Sequence, residues 1–142
     1  MVATADLANW LSLAARVEPA RLTPGERGRL VVEVRVPDGC HVESHRPSEP
    51  FLIPTDLFVG EVDGVRVEEV EYPPDEERVL DWSPAVLRVY RGSFELAASV
   101  EVSAGAAPGS RSISGRVRYQ GCTDAHCLMP AEQSVEATLD VV

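Results

Sequence analysis

Two of the three cysteines in this 142-residue chain, Cys122 and Cys127, are separated by only four residues. These four residues are Thr-Asp-Ala-His, a composition that is common in hairpin loops. Cysteines that face each other at the ends of paired strands have Cα atoms about 5.5 Å apart, a separation that suits a disulfide bond. The spacing therefore predicts a hairpin tip on which these two cysteines can form a disulfide.

On both sides of the cysteine pair, apolar or small residues alternate with polar ones, as they do in a strand with one buried face. We therefore expect two antiparallel strands that hold the cysteines between them. The inward positions are Ile113, Gly115, Val117 and Tyr119 before the pair, and Val135, Ala137, Leu139 and Val141 after it.

A disulfide at this place could be a structural staple, a redox device or part of a metal site. A six-residue ring lowers the entropy of the unfolded chain by only roughly 2 kcal/mol. A chain of this length buries roughly two thirds of its unfolded surface without help. The spacing therefore favours a redox or metal role. The alternative is an immunoglobulin-like binding module with a purely structural disulfide, which would have a reduction potential below roughly −300 mV.

The metal alternative draws on two segments rich in cysteine and histidine. Both contain spacings that zinc sites use, and sulfur with imidazole can also bind copper(I). If the two segments meet in space, they could form such a site. The candidate ligands are Cys40, His41 and His45 in the first segment, and Cys122, His126 and Cys127 in the second.

The segment YQGCTDAHCLMP, residues 119–130, resembles the cysteine hairpin of the N-terminal extracytoplasmic domain in the DsbD family of thiol:disulfide interchange proteins. A second patch, residues 37–57, is similar to the family's Gly-aromatic-His and Phe-Leu-Ile-Pro-Thr segments, and a weaker one is VYRG at residues 89–92. The resemblance runs from about Arg16 to the C-terminus. Cys40 departs from it, because the family usually has an aromatic residue there.

The resemblance implies an immunoglobulin-like fold and thiol-disulfide exchange. Cys127 would form the mixed disulfide with a partner, and Cys122 would resolve it. The expected partners are a thioredoxin-like donor domain and oxidised periplasmic thiol proteins, such as disulfide isomerases or cytochrome c maturation proteins. The domain would be exported to the periplasm and could be fused to membrane-spanning redox segments. Thiol exchange needs no cofactor, and we expect none.

The family also has an inter-strand loop that caps the cysteine pair, and residues 72–82 lie near the corresponding place. Trp82 is the candidate shielding aromatic residue, with Asp81 and Glu77 as nearby acids. The alternative is a solvated acidic loop in which Trp82 is anchored in the core.

Three further residues could tune the pKa of the cysteine thiols. Asp124 would raise the thiol pKa by repelling a thiolate, whereas a protonated His126 would lower it. His41 could lie beside the pair as an orienting or pKa-tuning neighbour.

The rest of the chain has the pattern of short strands separated by turn residues. We expect strands at residues 29–36, 55–62, 65–72, 87–90 and 94–102, a hairpin at Asp63-Gly64 and a loop at 103–110. Seven to nine such strands predict an all-β fold, an immunoglobulin-like antiparallel β sandwich.

The chain is expected to form one domain, residues 16–142, preceded by a tail or short helix at residues 1–15. The basis for the helix is the spacing of Leu7, Trp10, Leu11 and Ala14. The start lacks the basic and continuous apolar regions of a signal peptide, so we expect the export signal to precede this sequence in the natural protein.

Composition excludes several classes of function. The net charge is −10 and all 13 basic residues are Arg, which makes nucleic acid or an anionic membrane surface a poor partner. No run approaches the roughly 18 apolar residues of a membrane-spanning helix. No nucleophile-elbow pattern of a hydrolase and no Gly-rich phosphate loop is present.

Overall fold

Twelve β-strands make up the part of the chain that this computed structural model describes, residues 10–79, 86–123 and 125–142. The strands are β1 (Ser12–Glu18), β2 (Arg21–Leu22), β3 (Arg27–Arg35), β4 (Cys40–Glu43), β5 (Asp56–Val59), β6 (Val65–Glu71), β7 (Glu76–Val79), β8 (Val86–Tyr90), β9 (Ser93–Val102), β10 (Gly109–Tyr119), β11 (Gly121–Thr123) and β12 (Ala131–Val141).

These strands form three four-stranded sheets, with the orders β1-β3-β9-β6, β2-β12-β10-β5 and β11-β4-β8-β7. Neighbouring strands are antiparallel, except that the short β2 pairs with β12 in parallel. We call the first two sheets the sandwich and the third the site sheet. The predicted all-β class is confirmed. The described part of the chain contains no helix with the length and hydropathy of a membrane span.

The core lies in the sandwich, where one cluster of buried apolar side chains draws on both sheets. It arises from the period-2 alternation of the long strands, which turns every second side chain toward the opposite sheet. Its fully buried members include Val32 on β3, Leu96 and Val100 on β9, Val117 on β10 and Leu139 on β12. The alternating runs that predicted strands around residues 29–36, 113–119 and 135–141 are thus confirmed as β3, β10 and β12.

The N-terminal boundary differs from the expectation. Strand β1 begins at Ser12, so residues 12–15 belong to the sheet and not to a tail or short helix. The physical reason is the alternation of Leu13, Ala15 and Val17, which pack inward while β1 pairs with β3 along its whole length. Residues 1–9 lie outside the described residues.

The turn predicted at Asp63-Gly64 is present, but the two strands that flank it do not pair with each other as a hairpin. The chain does make a tight turn there, with a Val62↔Val65 bridge and a positive φ of 70° at Gly64. However, β5 pairs with β10 in one sheet, whereas β6 pairs with β9 in the other. The turn therefore connects the two sheets of the sandwich. Which strands pair is determined by long-range contacts and not by the local dipeptide.

Candidate functional site

The two cysteines lie at the edge of the site sheet. The ladder between β10 and β12 ends at the pair Tyr119↔Ala131, before either cysteine is reached. The chain then leaves the sandwich, and β11 pairs with β4, which places Cys122 opposite His41 and Thr123 opposite Cys40. The predicted tip therefore extends away from the two strands that were expected to hold it.

Residues 121–123 and 125–128 form a small hairpin of their own. Its backbone hydrogen bonds run from the Thr123 N–H to the His126 carbonyl at 2.8 Å, and from the Leu128 N–H to the Gly121 carbonyl at 2.7 Å. Cys122 and Cys127 form the β-bridge between these bonds, and their sulfur atoms are joined in a disulfide of 2.03 Å. The disulfide expected from the spacing is thus present.

The two sulfurs have different environments. Cys122 is completely buried, whereas Cys127 is half-buried. The residues around the second cysteine, including His126 and Met129, are exposed. A partner that approaches the hairpin can therefore meet Cys127 before Cys122.

Gly121 allows the hairpin to pack closely on the sandwich. A Cβ at this position would lie 2.5 Å from a ring carbon of Trp10, which is closer than real side chains approach. The indole in turn stacks on Tyr119 at 6.1 Å between ring centroids. The segment just before β1 thus packs under the cysteine hairpin.

A buried carboxylic acid lies against the disulfide. The side chain of Glu43 on β4 has no solvent exposure, and its Oε2 atom is 3.5 Å from Cys122 Sγ. The other oxygen, Oε1, has no hydrogen-bond partner among the described residues. His41 Nε2 lies 3.8 Å from Oε2. Desolvation by burial raises the pKa of Glu43 to about 7, so the acid titrates in the physiological range.

Hydrogen bonds of its own backbone hold Glu43 in place within the second family-like segment, residues 37–57. Its backbone N–H donates to the Gln120 carbonyl at 3.1 Å, and its carbonyl accepts from Thr55 Oγ1 at 2.6 Å. The Gln120 side chain accepts from the Ile53 N–H at 2.9 Å and donates to the Leu128 carbonyl at 3.3 Å. The Phe-Leu-Ile-Pro-Thr segment and the cysteine hairpin are therefore parts of one hydrogen-bonded unit.

Glu43 was not among the candidate site residues in the sequence. A single acid within a short strand looks like an exposed position, because charged residues are almost never fully buried. The only signal was the family resemblance of residues 37–57, which indicates a region and does not single out Glu43.

The metal alternative is only partly supported by the geometry. The two segments do meet, as β4 and β11, and potential ligand atoms of His41, Glu43 and Cys122 lie within 4.8 Å of one another. However, the sulfur is bonded to Cys127 and offers no thiolate. His45 is directed elsewhere, because its Nδ1 atom lies 2.7 Å from Asp56 Oδ1. In this oxidised form the expected Cys/His set is not assembled.

The predicted cap is described only in part, and one tuning residue is not described. Trp82, Asp81 and Asp124 lie outside the described residues. The described part of the cap segment, residues 72–79, includes β7, which is a strand of the site sheet. Glu77 is exposed on β7, 3.8 Å from Arg88. His126 is exposed in the hairpin, and His41, the other suggested neighbour, does lie beside Cys122.

An open groove of about 730 Å³ borders the site sheet. Its lining includes Cys40 and His41 from β4, and Arg78, Arg91 and Phe94 from the neighbouring elements. Cys40 is half-buried there and takes no part in the disulfide.

Taken together, a β sandwich and a disulfide with one buried and one half-buried sulfur define an all-β domain equipped for thiol chemistry. The family model "Thiol:disulfide interchange protein DsbD, N-terminal" matches residues 12–139. The chain therefore belongs to the family of DsbD N-terminal domains, as the resemblance of its cysteine hairpin predicted. No curated protein matches the chain.

Solved structures share the fold. The N-terminal periplasmic domain of ScsB from Proteus mirabilis is 11% identical with a TM-score of 0.55, and the match covers 92% of this chain and 45% of that chain. The reduced DsbD N-terminal domain of Neisseria meningitidis is 15% identical with a TM-score of 0.52, covering 99% and 96%. The present chain thus spans less than half of the ScsB chain. The immunoglobulin-like sandwich is confirmed.

The same architecture also occurs in proteins of other kinds. A cohesin–dockerin complex from Clostridium thermocellum contains a chain that is 16% identical with a TM-score of 0.50, and the match covers 92% of this chain and 99% of that chain. At such identities a structural similarity establishes the fold alone. The family match and the cysteine hairpin, and not the sandwich, carry the argument about function.

Proposed function

We propose that this domain transfers electrons by thiol-disulfide exchange through Cys122 and Cys127. The observation that carries the proposal is the pairing of a completely buried sulfur with a half-buried one in a single disulfide. A purely structural staple gains nothing from such an asymmetry. An exchange site needs it, because one sulfur must meet the partner and the other must stay available to resolve the mixed disulfide.

The exchange proceeds in two steps. A thiolate of a reduced donor attacks Cys127 Sγ, the bond between Cys127 and Cys122 breaks, and Cys122 leaves as a thiolate that takes up a proton. A second thiol of the donor then attacks the mixed disulfide and releases Cys127. The donor becomes a disulfide, and the domain gains two electrons and two protons.

Delivery of these electrons is the reverse reaction with a second protein. The Cys127 thiolate attacks the disulfide of an oxidised partner, and Cys122 attacks the resulting mixed disulfide from within the hairpin. The partner leaves as a dithiol, and the Cys122–Cys127 disulfide is restored. Because the cysteines are bound to a rigid sheet edge, this resolving step is intramolecular and needs no rearrangement of the sandwich.

The proposed donor is a thioredoxin-like domain and the proposed acceptors are oxidised extracytoplasmic thiol proteins, such as disulfide isomerases or cytochrome c maturation proteins. Membership in the DsbD N-terminal family supports this partner class. The proposed location is the periplasm, where disulfides persist. Since the chain covers 45% of the ScsB chain, we also propose that it acts as one module of a longer protein.

The proposal is tested by a redox titration of the purified domain in glutathione buffers. The thiols are alkylated at each potential and counted by intact mass. We expect a reversible two-electron transition confined to Cys122 and Cys127, at a potential within the range of thioredoxin-like proteins, roughly −270 to −120 mV. The Cys40→Ser variant is the control and should show the same transition.

Three results would contradict the proposal. A pair that stays oxidised below roughly −300 mV would identify the disulfide as a structural staple. A transition that requires Cys40 would contradict the two-cysteine mechanism. Protection of the thiols that disappears only on chelation would favour a metal site in the reduced protein.

A further inference from the structure

Glu43, the acid that lies against the disulfide, is buried although one of its two carboxyl oxygens has no hydrogen-bond partner among the described residues. A buried carboxyl group with an unsatisfied oxygen destabilises a fold, because it loses its hydration without a full set of hydrogen bonds. Glu43 has an orphan Oε1 atom among the described contacts and no exposure to solvent. The residue opposite it on β8 is Val89, which forms a buried apolar cluster with Leu52 and Leu87. An apolar side chain would fit this position at a lower cost.

The reaction creates a demand for a proton at this place. When Cys127 is attacked, the departing Cys122 sulfur carries a negative charge inside the protein. Cys122 is completely buried, so bulk water does not reach it in this conformation. A thiolate in an apolar environment is unfavourable, and burial raises the pKa of a thiol. A proton source that already lies against the sulfur removes this barrier.

We propose that Glu43 is the catalytic acid and base that exchanges a proton with Cys122 during disulfide opening and closure. The inference rests on the proposed thiol-disulfide exchange and deepens it. As the bond between Cys122 and Cys127 breaks, the protonated Glu43 carboxyl donates its proton to Cys122 Sγ and becomes a carboxylate. In the closing direction the carboxylate accepts the proton of the Cys122 thiol while its sulfur attacks the mixed disulfide.

The geometry supports a direct transfer. Glu43 Oε2 is 3.5 Å from Cys122 Sγ, a heavy-atom separation that suits a weak contact to sulfur and that can shorten when the bond opens. The backbone of Glu43 is fixed on both sides by Gln120 and Thr55, so its side chain is held toward the sulfur. A pKa of about 7 allows both the acid and the base form to be present at neutral pH.

Other titratable groups face the same side of the site sheet, and their effects must be distinguished from the effect of Glu43. On β4 the neighbour is His41, whose Nε2 atom lies 3.8 Å from Oε2. On β7 the register places Glu76 and Arg78 on this side, two strands and roughly 10 Å from β4. Arg91, which follows β8, forms an ion pair with Glu76.

The charged pair on the other side of the sheet is not involved. Arg88 on β8 bonds Asp75 Oδ1 at 3.2 Å, and Asp75 accepts a hydrogen bond from the Ser44 hydroxyl at 2.8 Å. Ser44 follows Glu43 directly, so alternation places it on the opposite face. His41 is therefore the principal competitor for the role that we assign to Glu43.

The experiment measures how fast excess dithiothreitol reduces the oxidised domain between pH 5.5 and 9, by acid quench, alkylation and intact mass. Each rate is divided by the concentration of dithiothreitol thiolate at that pH, which isolates the protein's own titration. For the unmodified protein this corrected rate should fall as pH rises through about 7, because the acid form of Glu43 disappears.

In the Glu43→Gln variant the corrected rate at pH 6 should be slower by roughly tenfold or more, and its pH profile should be flat. The control Glu136→Gln removes an exposed carboxylate from β12 and should match the unmodified protein at every pH. The His41→Gln variant should retain the inflection near pH 7. If circular dichroism shows that Glu43→Gln is poorly folded, Glu43→Asp replaces it. This variant should keep the inflection near pH 7 at a reduced rate.

Superposition of the Glu43→Gln and unmodified profiles would overturn the inference, and so would an inflection that is lost in His41→Gln but kept in Glu43→Gln. These outcomes differ from a failure of the proposed function itself. In that case the redox titration would find a pair that stays oxidised even below the potentials of thioredoxin-like proteins. If the disulfide is reduced and reoxidised normally and Glu43→Gln behaves like the unmodified protein, the exchange function stands and only the proposed proton transfer is rejected.

Discussion

The sandwich and the site sheet differ in what lies inside them. The buried side chains of the sandwich are almost entirely apolar, in register with the alternation of its long strands. The buried polar residues of the described chain instead belong to the site sheet and the segments that hold it, and they are His41, Glu43, Ser44 and Thr55. The stability of the domain and its chemistry are therefore carried by different regions.

This division has a physical basis. Apolar packing is tolerant of exact composition but offers no group that can exchange a proton or an electron pair. Buried polar groups are costly, so they are retained where a reaction requires them and where a stable neighbour offsets the cost. The sandwich supplies that stability, and the small sheet can then expose a disulfide edge and bury an acid.

The largest change in stability should follow from a cavity in the sandwich. Leu96 on β9 is completely buried, and Leu96→Ala should lower the free energy of unfolding by about 2–5 kcal/mol. Denaturant unfolding of the oxidised protein measures this loss. The reduction potential of the cysteine pair should stay unchanged. A shift in potential comparable to the loss of stability would show that the two regions are not separable.

The next largest effect should be a pH dependence caused by Glu43. In the unfolded chain this carboxyl ionises near its ordinary pKa of 4.5, whereas in the folded protein it ionises at about 7. Stability from this group is therefore fully present below pH 4.5 and is lost as pH rises through 7. Glu43→Gln lacks this loss and should gain up to about 3 kcal/mol relative to the unmodified protein between pH 5 and 8.

Denaturant unfolding at the two pH values provides the measurement, with Glu136→Gln as the control. The free energy of unfolding of Glu136→Gln should differ from that of the unmodified protein by the same amount at both pH values, because the carboxylate it removes is exposed. If the free energies of unfolding of Glu43→Gln and the unmodified protein also differ by the same amount at both pH values, burial does not raise the pKa of Glu43.

A smaller effect should follow from Gly121→Ala, where the two regions touch. The added methyl would meet the Trp10 ring, which must move, at a cost of about 1–3 kcal/mol. Tryptophan fluorescence should report the displaced indole, and unfolding should report the loss of stability. Gly105→Ala is the matched control, since no atom lies within 4 Å of the added Cβ. Equal effects of the two variants would contradict the packing described here.

The sequence predicts the sandwich better than the site sheet. Long alternating runs specify β3, β10 and β12 because one buried face requires period 2 over many residues. The short β4 and β11 have four and three residues, too few to show a period. The turn at Asp63-Gly64 was misassigned as a hairpin because local turn chemistry does not determine which strands pair over long distances.

The candidate site shows the same limit. The cysteine pair and the second resembling patch were visible as motifs, and the structure joins them through the hydrogen bonds of Gln120. The contact between Glu43 and Cys122 was not visible, because it links residues 79 positions apart through strand pairing. Motifs marked the region of the chemistry, and only the fold identified the acid within it.

The most direct test of the central claim is to trap the mixed disulfide with an oxidised thioredoxin-like partner, using the single variants Cys127→Ala and Cys122→Ala. If the half-buried sulfur meets the partner and the buried one resolves, Cys122→Ala should accumulate a stable mixed disulfide through Cys127, and Cys127→Ala should form none. Mass spectrometry of the non-reduced complex identifies the bonded cysteine. Equal trapping by both variants, or trapping through Cys122 alone, would contradict the account.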